Sequence, residues 1–387
     1  MYYYLRREKL AGLLLHLSKE WSVLAPFRNS YGDVTLENLD SVAENGRAEE
    51  IASRLALGGR TDSAQLLSPP KEVFFPQSEI LFQFSEKGNG EFAIEQPEGK
   101  DDPSGNKPKL LFGIKPCDYH ALLMTGRFFL EDNTDFYYST RANGSMVIID
   151  SCIVPPEPEA CFCSSAGTGP LMKRGDEYDI QLVEEGNGFI VDVASSRGED
   201  FVSGLENFFK IADEKETARR LEEIRKEAVG NVELKVDFKG ALEIMKESPE
   251  EGETGERLPA IYREIADRCI YCGACLYLCP TCTCFNVYDN SNFCSVLTLL
   301  EEGERAGERV RVWDGCVFSG YSREASGHNP RDDAYKRAER RYEHKLRYDP
   351  VVYGRSTCVG CGRCLTGCPV DIGMLKFIEE VTVGNEE

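Results

Sequence analysis

The chain has 387 residues, 41% of them hydrophobic and 29% charged, with a formal net charge of −21, a profile that fits a globular protein long enough for two domains. So acidic a chain would repel nucleic-acid phosphates, and no apolar run approaches the roughly eighteen residues of a membrane span, so neither partner is expected. Sixteen cysteines in a chain of this size point to thiols kept reduced in the cytoplasm for metal binding rather than to disulfides.

Near the N-terminus, "RREKLAGLLLHLSKEW" loosely imitates a secretory signal, but His16 interrupts the apolar run and Lys19 and Glu20 follow at once. Leu10, Leu13, Leu14 and Leu17 share one helical face, which predicts an amphipathic helix from about Leu5 to Trp21. "VFFP" and "EILFQF" read as short strands around Pro76, and "EKGNGEFAIEQPEGKDDPSGNKPK" as a surface loop or hairpin. "KLLFGI" reads as a buried strand, followed by a helix opening at Asp118. "SMVIID", running up to Cys152, and "FIVDVAS" are further strands, and "ADEKETARRLEEIRKEAVG" is a polar helix stopped near Gly230.

"KESPEEGETGERLP" is acidic and punctuated by Pro and Gly, as a linker is. "AIYREIADRC" and "DDAYKRAERRYEHKLRY" are helices, each leading into a cysteine run. The expected fold class is α+β. An N-terminal mixed α/β domain (1–245) and an acidic linker (246–258) precede a mainly helical ferredoxin-like module (259–387) with an insertion at 285–350. From Arg263 onward, 16 basic and 19 acidic residues nearly balance. Arginines there could offset a cluster's negative charge, although charge of this kind is ordinarily a solvated face.

"CIYCGACLYLCPT" (Cys269 to Thr281) and "CVGCGRCLTGCPV" (Cys358 to Val370) place four cysteines at the same spacing, each run ending in Cys-Pro. A loop of this kind wraps three corners of a cubane, and its fourth cysteine ligates the neighbouring cluster. The spacing assigns Cys269, Cys272, Cys275 and Cys368 to one [4Fe–4S] cluster and Cys358, Cys361, Cys364 and Cys279 to a second. Zinc is the competing metal, since paired Cys-x-x-Cys units also build structural zinc sites.

Cys117, Cys152, Cys161 and Cys163, near strand ends and Gly-rich turns, could hold a third cluster or be buried free thiols, which pack as small hydrophobes. Cys282, Cys284 and Cys316 could form a further site, and Cys294 reads as core. The four histidines read as structural. No complete phosphate-binding glycine signature is present, and no Ser-His-Asp arrangement is discernible.

Taken in order, "PPKEVFFPQSEILFQF", "FGIKPCDYHAL", "CFCSSAGTGP", "CIYCGACLYLCPTCTCF", "WDGC", "GHNPR", "RRYEHKLRY" and "CVGCGRCLTGCPV" resemble the beta subunit of soluble sulfhydrogenases. They are similar also to the iron–sulfur subunits of anaerobic sulfite reductase and of flavin oxidoreductases linked to heterodisulfide reductase. The likeness runs from about Leu67 to Pro369. It implies an electron-transfer subunit, with FAD on a partner chain. Electrons would pass between a partner that binds flavin and NAD(P)H and a second one, a hydrogenase, sulfite reductase or heterodisulfide reductase. The resemblance also favours the third cluster. Two other functions stay open: an enzyme reducing sulfur compounds at an N-terminal cluster, and a zinc-stabilised interaction module.

Overall fold

The computed structural model describes residues 1–42, 47–60, 63–86, 91–95, 107–246, 257–291 and 306–383. Its strands are β1 (Tyr2–Arg6), β2 (Ser22–Arg28), β3 (Val34–Asn38), β4 (Ser78–Glu86), β5 (Phe92–Glu95) and β6 (Lys109–Ile114). There follow β7 (Met146–Asp150), β8 (Ile180–Glu185), β9 (Gly188–Val193), β10 (Phe209–Ile211), β11 (Phe285–Ser291) and β12 (Ala306–Trp313). Eight of them form a mixed sheet in the order β10-β1-β9-β8-β7-β6-β2-β3, parallel from β2 through β6 and β7 to β8.

Alternation along β6 shows how the sheet is covered. Leu110 and Phe112 face a core with Leu10, Leu13, Leu14 and Leu17 of the helix Leu10–Leu17, while Leu111 and Ile114 face one with Tyr119, Leu122 and Phe129 of the helix Pro116–Leu130. That second helix begins two residues before Asp118, with Pro116 in the first turn, where its missing N–H costs nothing. The leucine stripe is helical as expected, but its N-terminal flank is not. Residues 2–6 form β1, clamped between β9 and β10, because "YYYL" is better matched to a pleated surface than to a helix.

"VFFP" is no strand either. A 3-10 turn, Pro70–Val73, follows Pro69, and Phe74 and Phe75 drop into the core. Phe75 there meets Phe129 and Trp313, ring centroids 4.9 and 5.6 Å apart.

Trp313 arrives from far along the chain. β11 and β12 form a hairpin that pairs with β4 and β5 in a second, antiparallel sheet of order β11-β12-β4-β5. Arg311 of β12 is held by Glu79 of β4 and by Asp135 at 2.6 Å, with Trp313 Nε1 donating to Phe75 O at 3.1 Å. The region of the inserted segment thus carries strands as well as helices. The remaining C-terminal helices, chiefly Arg257–Arg268, Ala334–Glu343 and Met374–Thr382, share a separate core around Tyr262, Tyr342 and Phe377 with the helix Phe238–Lys246. Most of the acidic linker lies outside the described residues. Among the described residues, no helix is long and apolar enough to cross a membrane.

Candidate metal centres

Each cysteine run is a tight loop that turns into a single helical turn, Ala274–Tyr277 in the first and Arg363–Thr366 in the second. In the second loop Gly360 and Gly362 have φ of +62° and +78°. A Cβ at Gly360 would stand 2.8 Å from the backbone of Cys163, and one at Gly362 2.6 Å from Ala160 O. Glycine is needed here for both the left-handed turn and the approach.

Two cavities lie against these loops. One, about 40 Å³, is walled by Cys269, Cys272, Cys275 and Cys368, with Arg337 and Arg341 beside them. The other, about 20 Å³, is walled by Cys279, Cys358, Cys361 and Cys364, with Arg341 and Lys345. The fourth cysteine of each run therefore faces the cavity of the other run. Among the described residues, no three His, Cys, Asp or Glu side chains gather as around one metal ion; the thiols border a space instead. Backbone N–H groups reach two of the sulfurs, Tyr271 N to Cys269 Sγ and Met374 N to Cys364 Sγ, each at 3.4 Å.

The walls suit an anionic iron–sulfur group. Arg341, buried and shared by both cavities, leaves Nη1 without a hydrogen-bond partner, and Arg337 leaves Nε so. The leading charges on Arg341 are the thiols of Cys275 and Cys364, and on Lys345 those of Cys279 and Cys282. Burying cations costs several kcal/mol unless negative charge meets them, and thiolates around a cluster would supply it. Burial pushes the thiols of Cys275 and Cys358 up to about 12, so metal must displace their protons. Cys279 goes the other way: a hydrogen bond with Cys282, then Lys345, Lys71 and Arg341, hold it well below the usual thiol range.

The four N-terminal cysteines come from separate elements. Cys117 sits at the start of the helix after β6, Cys152 just beyond β7, and Cys161 and Cys163 flank Phe162. The structure places the other three thiols within electrostatic reach of Cys163. Thiol neighbours of Cys163 are Cys152, Cys161 and Cys361, and those of Cys117 are Cys361 and Cys163. The group is pinned against the second run by Phe162 N to Gly360 O (2.9 Å), Thr168 Oγ1 to Val359 O (2.6 Å) and Gln65 Nε2 to Cys361 O (2.7 Å). Arg363 Nη1 and Nη2 donate to Asp118 Oδ1 and Oδ2 at 2.6 and 2.8 Å, and its Nε to Leu66 O at 3.0 Å. Lys115 Nζ, 2.7 Å from Asp150 Oδ2, lies buried beside Cys152 and Cys117.

None of the four histidines is among the residues walling either cavity. His16 packs on Phe208, and His344 Nε2 lies 3.2 Å from Asp349 Oδ1. Cys294 lies outside the described residues. The expectation of a solvated basic face fails at Arg337, Arg341, Lys345 and Arg363, all buried, and Lys71, outside the stretch it covered, is buried as well. The only hint of this was that four of them lie inside the "PPKEVFFP", "RRYEHKLRY" and "CVGCGRC" stretches, with Arg337 just ahead of the second; nothing in the composition set them apart.

Residues 268–372 match the 4Fe–4S dicluster domain family. The chain is 29% identical over 338 residues to Sulfhydrogenase 2 subunit beta of Pyrococcus furiosus, covering 87% of this chain and 89% of that protein. No solved structure matches. The likeness read from the motifs holds: the C-terminal part matches a 4Fe–4S dicluster domain, and most of the chain is similar to a sulfhydrogenase beta subunit.

Proposed function

We propose that this chain is the electron-relaying iron–sulfur subunit of a cytoplasmic oxidoreductase complex, with no substrate site of its own. Two [4Fe–4S] clusters would be held, one by Cys269, Cys272, Cys275 and Cys368, the other by Cys358, Cys361, Cys364 and Cys279, in a mainly helical module. The observation that carries the reading is the exchange of fourth cysteines between two cavities that share Arg341 as a wall. Bound there, the clusters would accept and release single electrons. Arg341 and Lys345 would balance their charge, and the apolar side chains around them would keep water away.

A third cluster on Cys117, Cys152, Cys161 and Cys163 is supported by their convergence beside Cys361. It would extend the relay into the N-terminal domain. Exposure of Cys272, and of Ile270 at 60%, suits the first cavity to exchange with a partner's cofactor at the surface. Burial of Cys152, Cys161 and Cys163 weighs for a relay over a sulfur-reducing catalytic site, which would need an approach for its substrate. The partners would be a flavin/NAD(P)H-binding subunit carrying FAD and a hydrogenase, sulfite reductase or heterodisulfide reductase. The similarity to a sulfhydrogenase beta subunit favours the hydrogenase.

The test is native purification under anaerobic conditions. Iron and acid-labile sulfide should be present, visible absorbance should bleach with dithionite, and flavin and hydrogenase chains should co-purify. Zinc without sulfide would overturn the reading.

A further inference from the structure

We propose that Cys282, Cys284 and Cys316 hold an additional iron–sulfur cluster through three thiolates, in a cavity that adjoins the second cradle and lies apart from the N-terminal cysteines. Cys282 lies three residues beyond Cys279, Cys284 leads into β11, and Cys316 follows β12. The β11–β12 ladder brings these segments together. Phe285 pairs with Trp313, and Asp314 N donates to Cys284 O at 3.2 Å. All three cysteines then face one cavity.

That cavity measures about 70 Å³, against about 40 and 20 Å³ for the two cradles. It therefore has room for a group at least as large as theirs. Nor is its wall that of an apolar pocket. Buried free cysteines ordinarily pack as small hydrophobes among apolar neighbours, whereas here Arg341 and Lys345 stand on the wall. Lys71 reaches the same segment from outside this wall. It is 2% exposed, its Nζ lies 4.1 Å above the Trp313 ring and donates to Cys282 O at 2.6 Å, and the thiols of Cys282, Cys279 and Cys284 are its leading negative neighbours. The orphaned Nη1 of Arg341 belongs to a side chain on this wall as well.

Buried cations require negative charge beside them. Arg341 and Lys345 also border the cradles, and the buried carboxylate of Asp349 shares this wall with Lys345, so Lys71, on neither cradle wall, is the cation that points to this site alone. A disulfide is not formed, since all three cysteines are free. All three thiols border the cavity itself, which leaves room between them for a group larger than one ion. Three thiolates leave one iron for a non-thiolate donor, and His344 and Asp349, paired at 3.2 Å, both stand on the wall.

The test compares the anaerobically purified wild-type complex with a variant carrying Cys282→Ser, Cys284→Ser and Cys316→Ser. Iron and acid-labile sulfide should each fall by about four per chain, with the magnetic-resonance signals of the other clusters retained. Unchanged iron and sulfide would overturn the proposal while leaving the relay reading intact. If the triple variant fails to accumulate or loses all its iron, Cys316→Ser decides, since Cys316 lies outside both runs. Loss of one cluster signal supports the site, and an unaltered spectrum removes it. Wild-type protein without iron would sink this proposal and the relay reading together.

Discussion

Arg363 offers the sharpest energetic test, because it joins the second cysteine run to the N-terminal half through a fully enclosed ion pair. The side chains of Arg363 and Asp118 are 3% and 0% exposed, and two parallel contacts of 2.6 and 2.8 Å join them. Arg363→Met strands the carboxylate in the interior, a loss of about 3–5 kcal/mol, and frees Leu66 O from its 3.0 Å bond, roughly 1 kcal/mol more. Asp118→Leu strands the guanidinium at a comparable cost. The double variant removes both charges, and replacing a buried pair with apolar groups is often close to neutral. It should therefore stand above either single variant, with a coupling of at least about 2 kcal/mol. Urea unfolding of the anaerobically purified chain, followed by far-ultraviolet circular dichroism, would give the midpoints. If each single variant lies within about 1 kcal/mol of wild type, as a surface pair would, or if the two losses simply add, the clamp is not what holds the run in place.

Cys368→Ala should damage the cluster wrapped by residues 269–275 more than the one wrapped by 358–364; magnetic spectroscopy showing the reverse would break the ligand assignment. Gly360→Ala should cost about 2–4 kcal/mol, from a left-handed alanine and its collision with the Cys163 backbone. Gly354→Ala, with φ +70° but nothing within 4 Å, should cost only about 1–2 kcal/mol, and equal thermal shifts for the two would contradict the close approach. Burial holds His120 down at about 4 in the fold, against roughly 6.5 when unfolded. Its share of stability is complete above pH ~6.5 and is lost as pH falls toward ~4, because the unfolded chain takes up the proton first; the loss is at most about 3 kcal/mol. A His120→Phe variant should flatten the denaturation midpoint over that window, and an unchanged slope would count against it.

What could be read from the sequence followed from local spacing. Cysteines spaced as in these runs announce a loop around a cluster, and the continuous apolar run at Leu110–Phe112 announces a strand covered on both faces. The convergence of Cys117, Cys152, Cys161 and Cys163 depends on parallel strands delivering loops to one sheet edge, so spacing alone left it open. The burial of Lys71 was invisible for the same reason: the thiols that act on it most strongly, Cys282, Cys279 and Cys284, lie more than two hundred positions away. The Leu5 end of the expected helix, which continues "YYYL", and "VFF" illustrate a different failure. In each, a short apolar stretch suits more than one backbone state, and pairing with β9 and β10 or the preceding Pro69-Pro70 decided between them.

The pairing of β12 with β4 has a consequence in time. Val310 lies opposite Ile80, so during synthesis β4 must wait while the ribosome adds more than two hundred residues before its neighbour exists. Until then one margin of that strand is a ready template for intruders, including other nascent copies. The second sheet cannot close until the segment between the two cysteine runs has emerged. Iron delivery in the cell would then find both halves of the protein already committed to each other, or neither.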